Sequence, residues 1–297
     1  MTQSEIHAAA ERGVPPIVEK CLREIRHIAT LPVVTIKMMR LADDVNATAE
    51  DFDTVIRNDP ALSFRILKVV NSSFYGLPQI ASINRAVLML GFNAVKNIAI
   101  SASLHKLFRT KNLDPHFDTR DLWMHSVAVA TGARALAEKA GFALVDEAFL
   151  AGLFHDIGIM IELQAFPQKF SEMTKRLSCE PGLTFRQAEE HVLGATHESF
   201  GTALCRKWNF PMKLANVAGY HHEPMQLPES DFVLPAIVYV ADVLAARTGL
   251  GYTRTVETDT VDQRVINALN LSEADIETVA ETLPNAVQEV QEIFSCE

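Results

Sequence analysis

Apolar residues recur at helical spacing along most of the chain, and segments that alternate like strands are almost absent. Thr48 stands ahead of Ala49, Glu50 and Asp51, which reads as an N-cap followed by first-turn acids. Asp59-Pro60 reads as a second helix start, with proline at the first helical position. The run that follows, PALSFRILKVV from Pro60 to Val70, is helical in its spacing, and NSSFYG (Asn71 to Gly76) ends it. Ile83 to Leu107 is long and mostly apolar but broken at Leu90-Gly91, where Gly91 caps between two helices that pack on each other. Residues 109–120, RTKNLDPHFDTR, are polar and carry a proline, and read as the connection between two lobes.

Beyond that connection the pattern predicts helices near 121–140, 146–163, 167–178, 184–191, 198–207, 211–222 and 232–247. A Gly/Thr/Asp-rich loop over 249–262 follows, and Ser272 with Asp275 opens a terminal helix. The expectation is an all-α protein of two helical lobes meeting near 105–120. An N-terminal lobe spans 1–110 and a second lobe 121–250, with a loop and helix over 251–297 packing on the body. No repeat of fixed period breaks this picture.

Composition narrows it further. The 297 residues are 48% hydrophobic, enough to bury a sizeable core in one large domain or two lobes. No uninterrupted apolar stretch reaches about 18 residues, and the N-terminus, MTQSEIHAAAERG, lacks the basic-then-apolar layout of a signal peptide. Cys21, Cys179, Cys205 and Cys296 are scattered without a CxxC pair, which suits a reducing cytoplasm and argues against a cysteine zinc site. A net charge of −10 without a Lys/Arg cluster argues against nucleic acid and anionic membrane as partners.

The informative residues are polar ones that interrupt apolar runs. His155 and Asp156 sit inside AFLAGLFHDIGIMIEL, His125 in DLWMHSVAVATGARALA, and His197 in GATHESFGTAL. His221 and His222 form a pair in VAGYHHEP, and Asp242 lies within LPAIVYVADVLAA. Asp121, four residues before His125, either shares its helix face or serves as a helix cap. His7, His27, His105, His116 and His191 read as ordinary helix histidines. A carboxylate in apolar surroundings costs several kcal/mol unless it is paired or bound to a cation. Histidines and carboxylates without cysteines suit Fe, Mn, Mg, Ni or Zn. Neighbouring residues on a helix point about 100° apart, so His155 could bind one metal while Asp156 bridges to a second.

The order His125, His155-Asp156, Asp242 resembles the HD superfamily of metal-dependent phosphohydrolases, and His197 with His221-His222 resembles its HD-GYP branch. The chain as a whole is similar to a particular relative, the HDOD domain. This likeness runs through LPVVTIKMMRLADD, NDPALSFRILKVVNSSFYG, ASINRAVLMLGFNAVKNIAI, DLWMHSVAVA, GLFHDIGIM, EEHVLGATHESFGTALCRKWNFP and VAGYHHEP, over roughly residues 20–245. It implies a cytoplasmic signalling protein with a signalling partner protein and one or two metal ions, Fe or Mn ahead of Zn, Ni or Mg. The implied ligands are His125, His155, Asp156 and Asp242 at one position and Asp156, His197, His221 and His222 at the other, with Asp121 as a possible addition. Two departures bear on catalysis. The HD-GYP pattern continues HDIG with lysine where this chain has Ile159, and the GYP loop is replaced by EPMQLPES after His222. The resemblance therefore leaves two readings: a regulatory binding protein, or a phosphohydrolase acting on a substrate other than cyclic di-GMP.

Overall fold

A computed structural model of the chain describes residues 14–24, 34, 37–38, 41, 44, 46–72, 75–77, 79–108 and 114–295. His7, His27, Cys296 and the start of the predicted inter-lobe connection (109–113) lie outside the described residues. Among those described the protein is all-α, without a strand; a single isolated bridge joins Asp114 and Phe117.

The helices of the first part are α1 (Pro16–Glu24), α2 (Ala49–Arg57), α3 (Pro60–Val70), α4 (Ile83–Leu90) and α5 (Phe92–Phe108). Their ends follow the predicted signals. Thr48 and Asp51 form a reciprocal capping box at α2. Asp59 caps α3 with Pro60 behind it, and Gly91 closes α4 with φ 85°. Helices α2 to α5 pack on one another around Phe52, Ile56, Leu62, Ile66 and Val95, while α1 packs against α11 of the second part.

The second part comprises α6 (Thr119–Lys139), α7 (Val145–Phe154), α8 (Ile157–Ala165), α9 (Pro167–Cys179), α10 (Phe185–Val192) and α11 (His197–Lys207). It continues through α12 (Met212–Tyr220), α13 (Val233–Thr248), α14 (Gln263–Ala268) and α15 (Glu273–Ser295). Helix α6 is apolar on nearly all sides because it is surrounded: α7, α13 and α15 all pack against it. Ser272 and Asp275 cap α15 as predicted. The N-cap of α6 is Asp118; Asp121 sits exposed in the first turn, so the reading of Asp121 as a cap does not hold.

The predicted single helix over 146–163 is divided. Helix α7 ends at Phe154 and α8 begins at Ile157, with Asp156 at φ −94°, ψ 16° between them. The His155 ring donates from Nδ1 to the Gly152 carbonyl at 2.7 Å, and Ile159 N–H turns back to Asp156 O at 3.0 Å. The side chain thus competes for a carbonyl that the helix ladder would otherwise use, and Asp156 falls in the bridge region of backbone space, where many site residues are found. By length and composition Val145–Ala165 is long and apolar enough to cross a membrane, but 89% of that window is buried inside the fold.

Helix α5 packs against α6 and α7, and a single contiguous apolar core runs through both parts. A polar group accompanies it: Arg134 Nη1 donates to Asp146 Oδ1 at 2.9 Å, Tyr75 Oη donates to the same oxygen at 3.3 Å, and the Arg134 guanidinium lies 5.0 Å from the Tyr75 ring centre. The loop over 249–262 is fastened to the body. Tyr252 N–H donates to Asp121 O at 2.9 Å, Arg254 donates to Leu177 O, and Thr255 is buried. At Gly251, φ is +75° and a Cβ would lie 2.3 Å from His125 N, so only glycine fits this close approach to α6.

Candidate metal centre

Seven of the eight residues singled out from the sequence converge in two adjoining groups. Asp156, His197, His221 and His222 form one, and His125, His155 and Asp242 the other. Within each group the candidate ligand atoms lie within 4.8 Å of one another. The residues come from five places: α6 brings His125, the α7–α8 break His155 and Asp156, the start of α11 His197, the end of α12 His221 and His222, and α13 Asp242. Asp121, the eighth, is outside both groups.

Asp156 stands between the groups. Its Oδ2 is 3.2 Å from His155 Nε2, and its Oδ1 is 3.4 Å from both His197 Nε2 and His221 Nε2. His197 Nε2 lies 3.4 Å from His221 Nε2 and 3.2 Å from His222 Nε2. In the other group His125 Nε2 is 2.8 Å and His155 Nε2 3.7 Å from Asp242 Oδ1. His125, His155, Asp156, His197 and His221 are fully buried, Asp242 nearly so, and His222 half-buried.

The far side of each ring decides what its Nε2 can do. His155 Nδ1 faces the Gly152 carbonyl, and His221 Nδ1 faces the Val217 carbonyl at 3.0 Å. A carbonyl only accepts, so both Nδ1 atoms carry a proton. His197 Nδ1 is held by Glu189 Oε1 at 2.8 Å, and the same carboxylate takes the His197 backbone N–H at 3.2 Å. The Nε2 atoms therefore turn toward each other and toward Asp156, whose two buried oxygens have no hydrogen-bond partner. Such a convergence of ring nitrogens and carboxylate oxygens could hold a cation. Two donors each about 2.1 Å from one metal at a tetrahedral angle stand about 3.4 Å apart, which matches the Asp156/His197/His221/His222 group. The donor set, imidazole and carboxylate without thiolate, fits the metals expected from the sequence.

Without an ion, a proton supplies part of the positive charge at the centre. Burial opposes charge on His155, but Asp156 and Asp242 beside it prevail and raise its pKa to about 9. Burial likewise opposes charge on Asp156, and the surrounding histidines hold it well below the usual carboxylate range. Burial, with His221 and His197 nearby, pushes His222 well below the ordinary histidine value, leaving it neutral with a lone pair to give.

Sequence reasoning missed a supporting layer. Glu189 and Glu162 are fully buried behind His197, and burial raises both well above the ordinary glutamate value. Signals for both exist: Glu162 interrupts the apolar run Ile157–Leu163, and Glu189 occupies the apolar face marked by Phe185, Ala188 and Val192. Such carboxylates orient ligating histidines and raise their basicity.

An all-α body of two helical parts with a buried histidine/aspartate centre in the second defines the class. The HDOD domain model matches residues 28–224, and the chain belongs to the HDOD domain family. Among solved structures, an HDOD domain protein of unknown function from Geobacter sulfurreducens is similar with a TM-score of 0.78 and 23% identity, over 94% of this chain and 98% of that one. A protein from Marinobacter aquaeolei, provisionally named a signal transduction protein, gives 0.74 and 22%, over 99% and 66%. One from Shewanella amazonensis, provisionally named a phosphohydrolase, gives 0.70 and 20%, over 93% and 98%. A curated relative, an uncharacterized protein of Treponema pallidum, is 24% identical over 69% of this chain, which spans 39% of that protein's length.

Proposed function

We propose that this HDOD protein is a regulatory binding protein of the bacterial signalling type. Its second lobe is organised around a two-position histidine/aspartate metal centre with a structural or sensory task. It acts by binding a signalling partner protein or a small ligand. The observation that carries this reading is the burial of the centre: five of the seven ligands have no exposed surface, whereas a hydrolytic centre must admit its substrate. Ile159 supports it, being fully buried in the core where the hydrolase pattern resembled by this chain carries a lysine. The neighbours' names divide between signalling and hydrolysis, and likeness at 20–22% identity carries only the fold.

One feature favours the second reading, a metal-dependent phosphohydrolase: the two oxygens of Asp156 face the two groups, as a two-metal clamp requires. Ions bound there would supply Lewis acidity toward a phosphoester. His155 and Asp156 would hold and link them, and Glu189 would keep His197 oriented.

Metal analysis of tag-free protein purified without chelator, followed by a phosphoesterase screen of the loaded sample, separates the two. The regulatory reading expects bound metal, weak or absent turnover of nucleotides, and no cleavage of cyclic di-GMP. His155→Ala with Asp156→Ala is expected to lower thermal stability and partner binding together. Robust turnover by the wild type, lost in a folded double variant, establishes the enzyme instead.

A further inference from the structure

Arg186 lies on α10, one turn before Glu189, with its side chain 23% exposed. Each guanidinium nitrogen meets a different carboxylate. Nε is 3.2 Å from Glu198 Oε2, Nη1 3.4 Å from Glu257 Oε2, and Nη2 3.6 Å from Glu223 Oε2. Two of these acids have telling positions: Glu198 directly follows the ligand His197, and Glu223 directly follows the ligand His222. The third, Glu257, belongs to the loop fastened over α6. Glu198 is itself buried and also accepts the Thr196 hydroxyl at 2.8 Å.

The ligands of this group are not equally secured. His197 and His221 each have a hydrogen bond on Nδ1 that fixes the ring. His222, the half-buried member, has its one described hydrogen-bond contact on Nε2, to His197. Its placement therefore depends on its backbone, and the next residue is tied to Arg186. A planar fork suits this task because it reaches three carboxylates in fixed directions, which a lysine ammonium cannot.

We infer that Arg186 is a positioning residue that clamps the His197 and His222 segments into register, so that the Asp156/His197/His221/His222 group can bind its metal ion. The inference rests on the metal-centre reading above and adds that the two positions depend on different supports. It also makes a prediction opposite in sign to simple electrostatics. Removing a cation near a metal site relieves Coulomb repulsion and by that term should tighten metal binding; loss of the clamp weakens it.

The test is a Mn²⁺ titration of metal-free full-length protein by calorimetry, with metal content measured by mass spectrometry. Wild type is expected to take two ions. Arg186→Gln is expected to keep one at wild-type affinity and bind the other roughly ten- to a hundredfold more weakly, the usual cost of losing such support. Arg186→Lys should rescue only part of the loss, and Glu223→Gln should reproduce part of it. Wild-type or tighter binding of both ions by Arg186→Gln overturns the clamp while leaving the metal centre standing, and so does equal weakening at both positions with a general loss of thermal stability. If wild type takes up no Mn²⁺, Fe²⁺ or Zn²⁺, the metal centre itself fails. The clamp is then judged by hydrogen exchange on the same metal-free proteins: it survives if Arg186→Gln speeds exchange at 197–199, 221–223 and 255–258 but not in α6 or α13, and falls if it does not.

Discussion

At the scale of single residues, Asp156 and His155 set the acid–base behaviour of the centre. Without metal, His155 holds a proton below about pH 9, and a metal ion must displace it. Affinity at the His125/His155/Asp242 position should therefore rise about tenfold per pH unit from pH 7 toward 9 and then level off, which metal titrations across that range will show. The same shift has a stability sign. Its folded value is raised above 6.5, so its stabilisation of the metal-free protein is complete below 6.5 and is lost as pH rises through about 9. Glu162 is raised by burial and by Glu189 beside it, so it favours the folded state less and less as pH climbs above the ordinary glutamate value. Glu162→Gln should stabilise metal-free protein at pH 7 by about 1 kcal/mol, measured by urea unfolding. The seven converging residues were legible in the sequence because each breaks an apolar run where an unpaired polar group is costly. Arg186 was not, because on an amphipathic helix a charge turned toward partners distant in sequence looks like any surface charge.

At the scale of elements, the glycine in LFHDIGIM is explained by a crossing. A Cβ on Gly158 would lie 1.9 Å from the His197 carbonyl oxygen and 2.9 Å from Gly201 N, so α8 and α11 touch backbone to backbone where α11 begins at His197. Gly158→Ala should destabilise by at least about 2 kcal/mol and lower metal content with it. Gly219→Ala is the control: its Cβ would meet only the Thr202 hydroxyl, a side-chain atom that can turn away, so its thermal midpoint should stay near wild type. Helix positions and caps were readable from the sequence because capping is local, as Thr48, Asp59 and Gly91 show. The break at His155-Asp156 was not, since continuous apolar periodicity on both sides conceals a side-chain bond to the Gly152 carbonyl.

At the scale of the whole molecule, the two helical parts share one core and the Tyr75–Asp146–Arg134 group. They should unfold in one calorimetric transition, and metal removal should lower that single midpoint. A ligand at a hundred times its Kd adds about 2.7 kcal/mol to the folded state. Two separate transitions, only one of them responsive to metal, would show instead that the parts are energetically independent. Helix α7 packs on α5 at one side and ends next to His155 at the other.

The loop that seats Gly251 against His125 and hydrogen-bonds Tyr252 to Asp121 has a consequence in time. An ion bound at the His125/His155/Asp242 position is expected to leave only when that segment and its anchors let go together. The centre should then behave as a record of synthesis, retaining the ion present when the chain folded long after the surroundings change. Protein refolded with Mn²⁺ and moved into excess Zn²⁺ should exchange over hours, and Tyr252→Pro, which removes the N–H donated to Asp121, should shorten that memory to minutes.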